Sequence, residues 1–422
     1  MEIGRPLRPP PPLPPPPVAA AVAAAAAISS VLGDDDLLRE ILVRLGLPTS
    51  LLRAALVCRR WLCHASDPSL LRRFRDLNPP RILGAYLSTS VRPPPRLRFL
   101  PISPVPELAA AARRAGSFFD TFKGSSATVR DSRGGRLLVS TFDDRHDSTR
   151  QVCSPLSPAR DTTVVPPPPP PPPIELNDDD EECLIYHYSE FLPDDGDGRS
   201  YFCVVMGYSE LQTTVYLYEL RGMNWVVKAS ASALLPLSPP KSRVMLFNNA
   251  KFYCMLSTTN KILVCDFLSS GISVIDLPGG VENNHGGCIM LSQREGSGIY
   301  LIYVKESQLH IFCHRKGGDD PGNWFLVDHI CLRQVCSNLD MVSWPSVDGF
   351  SAGVKICAVG DNAKFVLLEV SGYIVFVDIT TRQAEKVYEL TPEDKELVIV
   401  YPLMLIWPPV FPQLKESDDQ MG

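Results

Sequence analysis

The chain has 422 residues, 45% of them hydrophobic and 21% charged, with a net charge of −6 and a mean hydropathy of +0.02, which suits two or three units with ample material for a large core. Its twelve cysteines are scattered without a CxxC pair, so they read as reduced and structural rather than as a disulfide framework. Charge is uneven: residues 1 to 120 carry sixteen arginines against nine acids, but those arginines fall largely along predicted helix faces and read as solvated edges, not as a nucleic-acid surface.

The first segment runs Pro9 to Pro17, broken by Leu13, and continues as Val18 to Ile28, almost all alanine. The prolines argue against a signal or transit peptide, and the alanine run is too short and too weakly hydrophobic to span a bilayer, so residues 1–30 are predicted to be a disordered lead-in. No other stretch approaches a membrane span. The expectation is a soluble protein of the cytoplasm and/or nucleus with no membrane partner.

Residues 31–78 carry three predicted helices. In the first, Leu37, Leu38, Ile41, Leu42 and Leu45 fill an apolar arc of about 140° with Arg39, Glu40 and Arg44 outside it. After Gly46-Leu47-Pro48, Thr49 or Ser50 is predicted to cap a second helix in which Leu51, Leu52, Ala54, Ala55, Leu56, Val57, Cys58, Trp61 and Leu62 leave only an arginine edge at Arg53, Arg59 and Arg60. Asp67-Pro68 reads as an N-cap followed by proline at the first helical position of a third helix bearing Leu70, Leu71 and Phe74. So small a unit is marginal alone. Four or five exposed Leu/Ile side chains at about 1.5 to 3 kcal/mol each offer on the order of 6 to 15 kcal/mol gross, comparable with what association costs. Periodicity by itself leaves open whether that surface meets a partner or the rest of the chain.

The order of residues narrows this. Asp35-Asp36-Leu37-Leu38-Arg39-Glu40-Ile41-Leu42-Val43-Arg44-Leu45, followed by Pro48-Thr49-Ser50-Leu51-Leu52-Arg53-Ala54-Ala55-Leu56-Val57-Cys58-Arg59-Arg60-Trp61, resembles the F-box of plant F-box proteins. The resemblance implies docking on a Skp-type adaptor and, through it, on the cullin of a RING ubiquitin ligase. Carried over by position, Leu37, Ile41, Leu42, Leu45, Pro48, Leu51, Leu52, Val57, Cys58 and Trp61 would form the adaptor-facing surface and its supporting core. Where the family has Leu-Pro before the acidic pair, this chain has Leu32-Gly33-Asp34. Loss of that proline removes a rigid start to the helix and predicts weaker adaptor binding.

Residues 79–114 read as a linker. From about residue 115 the period moves from 3.6 toward 2, with short β-branched and aromatic runs between Gly, Asn, Asp and Ser. Twelve strands are predicted, among them Arg136 to Phe142, Tyr201 to Tyr208, Lys251 to Leu256, Gln308 to His314 and Tyr373 to Ile379. The runs Val215-Tyr216-Leu217-Tyr218, Ile262-Leu263-Val264-Cys265, Leu309-His310-Ile311-Phe312 and Ile374-Val375-Phe376-Val377 begin about 47, 47 and 65 residues apart, near the length of one propeller blade. Each is followed by a turn and a second run, as in Asn224-Trp225-Val226-Val227 and Asn323-Trp324-Phe325-Leu326, read as the inner and outer strands of a blade. The predicted architecture is therefore a small three-helix unit followed by an all-β, propeller-like domain of roughly six blades over residues 115–410, with a pair of β-sandwiches as the alternative. Arg133-Gly134-Gly135-Arg136-Leu137-Leu138 and Val152-Cys153-Ser154-Pro155-Leu156 also resemble the F-box-associated propeller-like domain of grass F-box proteins.

Within that domain, Pro166 to Pro173 and Asp178-Asp179-Asp180-Glu181-Glu182 are predicted to form an exposed insertion over 161–182, with another acidic run at Asp194-Asp195-Gly196-Asp197. Neither acidic run has the spacing or glycine of a calcium loop, and His310-Ile311-Phe312-Cys313-His314 lacks a second ligand pair for zinc. The chain contains no GxSxG, P-loop or HExxH pattern, so no cofactor and no catalytic set is assigned. Residues 411–422 read as a disordered tail. The sequence thus predicts a non-catalytic substrate receptor of an SCF-type ligase that binds a protein target through its β-domain. The alternative is a propeller scaffold or ligand-binding protein with a degenerate F-box.

Overall fold

In the computed structural model the described residues are 18–89, 96–103, 105–122, 126–142, 148–157, 162–169, 185–192, 201–208, 212–234, 240–248, 250–257, 259–283, 288–295, 298–315, 323–339, 353–394 and 397–405. Both acidic runs, Pro170 to Pro173, residues 1–17 and the C-terminal tail lie outside them. The chain divides after Pro80 into a helical unit and a β-unit, Arg81–Ile406.

The helical unit contains α1 (Val18–Gly33), α2 (Asp35–Val43), α3 (Pro48–Ala55), α4 (Arg59–Ala65) and α5 (Pro68–Leu77). Two sequence expectations are corrected here. Val18–Gly33 is a helix rather than part of a disordered lead-in, because eight alanines carry the highest intrinsic helix propensity; its side chains from Ala21 on are nevertheless largely exposed. The predicted second helix is two helices, broken where Cys58 adopts an extended conformation (φ −162°, ψ 167°) between α3 and α4. Its start also differs. Leu47 occupies the N-cap of α3 without a side-chain bond and Pro48 sits in the first turn, so neither Thr49 nor Ser50 caps it. None of the helices of the described residues is long and apolar enough to cross a membrane.

The β-unit is a six-bladed propeller. Its four-stranded sheets are β3 (Ser126–Arg133), β4 (Arg136–Phe142), β5 (Ser148–Cys153) and β6 (Thr163–Val165) in blade 1, and β7 (Ile185–Phe191), β8 (Phe202–Tyr208), β9 (Thr213–Arg221) and β10 (Asn224–Ala233) in blade 2. Blade 3 holds β11 (Pro240–Asn248), β12 (Lys251–Leu256), β13 (Lys261–Asp266) and β14 (Gly271–Asp276). Blade 4 holds β15 (Ile289–Gln293), β16 (Ile299–Lys305), β17 (Gln308–Arg315) and β18 (Asn323–Cys331). Blade 5 holds β19 (Val354–Val359), β20 (Phe365–Val370), β21 (Tyr373–Asp378) and β22 (Gln383–Glu389).

The sixth blade joins the two ends of the domain. β1 (Arg81–Thr89) and β2 (Arg96–Pro101) pair in the order β2-β1-β23 with the C-terminal strand β23 (Leu397–Leu405), all antiparallel. Residues 79–114, expected to be a linker, therefore begin the propeller. The strand escaped notice because Gly84 interrupts its β-pattern and prolines flank it on both sides. The innermost strands β23, β3, β7, β11, β15 and β19 lie side by side in a closed ring. Between consecutive blades run separate apolar seams; blades 2 and 3 share Phe252, Cys254 and Leu263 with Val204 and Val215, and blades 4 and 5 share Ile302, Leu309, Val366 and Val375.

The repeated runs recognised in the sequence are the third and fourth strands of blades 2 to 5: the second run of each pair is the outermost strand, as expected, whereas the first is the third strand and not the innermost. The fourth strands β10, β14, β18 and β22 are exposed or half-buried along nearly their whole length, whereas β12, β13, β20 and β21 are mostly buried. Two outer strands repeat one staple: Trp225 Nε1 donates to Pro167 O at 2.7 Å, and Trp324 Nε1 donates to Asp276 O at 2.8 Å. In both cases an indole satisfies its polar edge on the preceding blade while burying part of its ring. Gly134 and Gly135, both at positive φ (61° and 67°), make the two-residue hairpin that pairs Arg133 with Arg136. His310, Cys313 and His314 lie along β17, where the His314 ring packs 5.0 Å from Trp324.

Candidate functional site

The helical unit owes its order to three side-chain clamps. Asp34 is the N-cap of α2: its carboxylate accepts from the backbone N–H of Asp36 at 2.9 Å and of Leu37 at 3.0 Å. Arg60, read from the sequence as part of a solvated edge, reaches across from α4 to the same place. Its guanidinium donates to Leu32 O at 2.7 Å, to Gly33 O at 2.8 Å and to the Asp35 carboxylate, which His64 Nε2 also meets at 2.9 Å. The start of α2 is thus fixed by hydrogen bonds where the resembling family uses proline. At the other end, buried Asn78 donates from Nδ2 to Val43 O (3.3 Å) and Phe74 O (3.0 Å), tying the last turn of α5 to α2.

Asp67 caps α5 as the sequence predicted, accepting from the backbone N–H of Ser69 and Leu70, with Pro68 in the first turn. The Ser69 hydroxyl and those backbone donors, with Arg39 beside them, hold the Asp67 carboxyl below the ordinary aspartate range. Bonds from Arg60 and then His64 lower Asp35 likewise. A carboxylate depressed in the folded state stabilises it above the unfolded pKa, about 3.9, and loses that contribution as pH falls. The helical transition of the full chain, followed by circular dichroism, is therefore expected to hold between pH 7 and 5 and to weaken below about pH 4. Asp67→Asn should flatten part of that acid limb, and an unchanged limb would show that the cap is not linked to folding.

With these clamps set, Leu38, Leu42, Val43, Leu51, Ala55, Ala65, Leu70, Leu71 and Phe74 form the unit's core. The ten residues carried over from the resemblance separate into two groups around it. Leu42 and Leu51 are core, at 0% and 1% exposure; Leu45 and Trp61 pack against it half-buried, and Pro48 is half-buried at the start of α3. Leu37 (46%), Ile41 (37%), Leu52 (45%), Val57 (63%) and Cys58 are exposed. Leu37 and Ile41 are one turn apart on the same face of α2. Leu56, omitted from the carried-over set, is the most exposed of these aliphatics at 76% and follows Leu52 by one turn. The signal for it was present in that i, i+4 spacing, but a continuous helix through residues 51–62 had assigned it to the covered side.

A core already filled by nine side chains leaves these leucines, the isoleucine and the valine outside the packing of the helical unit itself. Single exposed aliphatics are ordinary, whereas i, i+4 pairs on two helices form apolar stripes of the kind a protein partner can cover.

Comparison with protein families matches residues 35–76 to the F-box-like family and residues 128–411 to the family described as F-box protein AT5G49610-like, beta-propeller. No curated protein matches. Among solved structures, the chain is similar to one in a nidogen/laminin complex, with 8% identity and a TM-score of 0.36 over 76% of this chain and 98% of that one. It is also similar to a putative 6-phosphogluconolactonase from Bacteroides fragilis, with 11% identity and a TM-score of 0.35 over 76% and 98% of the two chains.

Proposed function

From the membership of this chain in the family of F-box proteins with an AT5G49610-like β-propeller, we propose that it is the substrate-recognition subunit of an SCF-type ubiquitin ligase. The helical unit docks on a Skp-type adaptor, which links it to cullin, and the propeller binds a protein target. The observation that carries this reading is the exposed aliphatic set Leu37, Ile41, Leu52, Leu56 and Val57 on helices whose own core is complete. Leu42, Leu45, Pro48, Leu51 and Trp61 support that surface from behind, and Cys58 sets the bend that presents it. Asp34 and Arg60 supply the rigidity whose loss the missing proline had suggested, so weak adaptor binding is not expected.

In this role the chain performs no bond chemistry. It is a non-catalytic receptor: holding a target lysine near the charged ubiquitin carrier makes the encounter effectively intramolecular and raises the local concentration.

The test is co-purification of the full chain with a plant Skp-type adaptor and cullin, beside the Leu37→Asp, Ile41→Asp double variant. Both side chains are solvent-exposed, so the variant is expected to melt like the parent while losing the adaptor. Retention of adaptor by the variant, or no complex with the parent, would overturn the assignment.

A further inference from the structure

The apolar seams between blades 2 and 3 and between blades 3 and 4 are each one continuous cluster of thirteen buried residues among the described residues, whereas that between blades 1 and 2 is split into clusters of six and three. Beside them is an open cavity of about 540 Å³ lined by Arg130, Arg150, Pro168, Pro169, Tyr188 and Glu190. The size is that of a small-molecule or side-chain site.

Polar groups here are incompletely paired. Arg150 Nη1 stands 3.5 Å from Glu190 Oε1, with the two side chains only 20% and 10% exposed. That separation is long for a charge-assisted hydrogen bond. The Glu190 Oε1 and Arg150 Nε atoms are both buried without a hydrogen bond of good geometry, and the buried Tyr201 hydroxyl, which faces the Glu190 carboxylate, also lacks one. Arg130, anchored through Nε to Ser140 Oγ at 3.3 Å, brings a second guanidinium. Among the described residues that line it, two cations stand against one anion, one positive charge in excess. The wall opposite blade 1 is aromatic: registers Tyr188–Val205–Tyr216 and Glu190–Cys203–Tyr218 put Tyr188, Tyr216 and Tyr218 on the face that carries Glu190. Pro168 and Pro169 close the outer side, held in place by the Trp225 bond to Pro167.

From this geometry we infer that the cleft between blades 1 and 2 binds an anionic group, carboxylate or phosphate, carried on an aromatic or apolar body. The anion takes the guanidinium edges that Glu190 leaves incompletely used, and the body lies against the tyrosines and prolines. Its source is a side chain of a protein target or a free organic acid. This site is independent of adaptor docking, so the two readings stand or fall separately.

Trp225 is a local reporter, since its indole contacts Pro167 and lies 5.4 Å from the Tyr201 ring. Full-length protein would be titrated with phenyl phosphate, phenylacetate and neutral phenylacetamide, following tryptophan fluorescence with a Trp225→Phe control. Capped tripeptides carrying phosphotyrosine or glutamate form a second arm. Saturable signals are expected from at least one anion, with the amide about tenfold weaker or more. Arg150→Met should weaken anion binding by a similar factor while leaving adaptor retention unchanged. Glu190→Gln should tighten it, because the competing carboxylate is removed. That opposite sign distinguishes a ligand site from a structural ion pair, in which both substitutions act alike. Binding by the peptides identifies a target side chain as the source, and binding by free acids alone identifies an organic acid. Equal binding of amide and anions, or weakening by Glu190→Gln as by Arg150→Met, would overturn the proposal.

Discussion

Deleting the chain from Leu397 onward is expected to abolish cooperative folding of the propeller, while ending it after Leu405 should leave the transition intact. β23 is the only C-terminal strand that pairs with β1 among the described residues, running from Arg81↔Leu405 to Thr89↔Leu397. Its two faces serve two seams. Leu403, fully buried, belongs with Leu83, Tyr86 and Leu137 between blades 6 and 1, and Val400 belongs with Ala85, Leu87 and Leu367 between blades 5 and 6. Burial of those two side chains alone contributes about 3 to 6 kcal/mol, against a total stability on the order of 5 to 15 kcal/mol for a domain. The β1 ladder is lost with them, leaving an open sheet edge. Leu403→Asp is the milder form: an unpaired carboxylate placed in that seam should cost several kcal/mol, on the order of 3 to 5. Urea unfolding followed by tryptophan fluorescence reads both. A deletion variant with a parental midpoint would show that ring closure does not hold the domain together.

Gly84→Ala should destabilise the same blade by about 3 kcal/mol, since overpacking of a rigid site costs roughly 1 to 3 kcal/mol and more when backbone must move. A Cβ at position 84 would stand 2.3 Å from Leu100 O and 2.4 Å from Phe99 Cζ. Phe99 can rotate, but Leu100 O belongs to the β1–β2 ladder, where Gly84 pairs with Pro101. Glycine is needed here for close approach between strands rather than for an unusual φ. Gly116→Ala is the internal control, because its added Cβ meets only Phe99 Cδ1 at 3.8 Å and helix propensity favours alanine in the helix Ala109–Ser117. It should leave the urea midpoint unchanged or raise it, so the two glycine substitutions in one domain should differ in sign. A Gly84→Ala midpoint within error of the parent would mean that β1 and β2 separate without cost.

The proposed receptor function asks for two properties that the two units divide. The helical unit offers exposed aliphatics on rigid supports, with Asp34, Arg60 and Asn78 each making more than one hydrogen bond to hold helix ends. The propeller offers stacked sheets whose fourth strands remain exposed, as at Phe325, Leu326 and Val327 on β18. Specificity in such a fold resides in side chains set on a rigid frame. The Arg130–Arg150–Glu190 cleft is a place where that frame departs from apolar stacking.

Features governed by neighbours in the chain were legible from the amino-acid order alone. The apolar arc of α2, the Asp67-Pro68 start of α5, the Gly134-Gly135 hairpin and strands such as Lys251–Leu256 depend on side-chain period, capping and turn conformation, all settled within a few residues. The order of residues also carried the F-box resemblance and the blade-length repeat. What folding in three dimensions added are relations between distant segments. The pairing of Arg81–Thr89 with Leu397–Leu405 made a strand of a predicted linker. Cross-chain bonds turned Arg60 from a solvated edge into the clamp on Leu32 and Gly33, and the bend at Cys58 turned Leu56 and Val57 outward. Side-chain period records which residues prefer burial, but burial and hydrogen bonding are shared between partners, and the partner's position is not written within either segment.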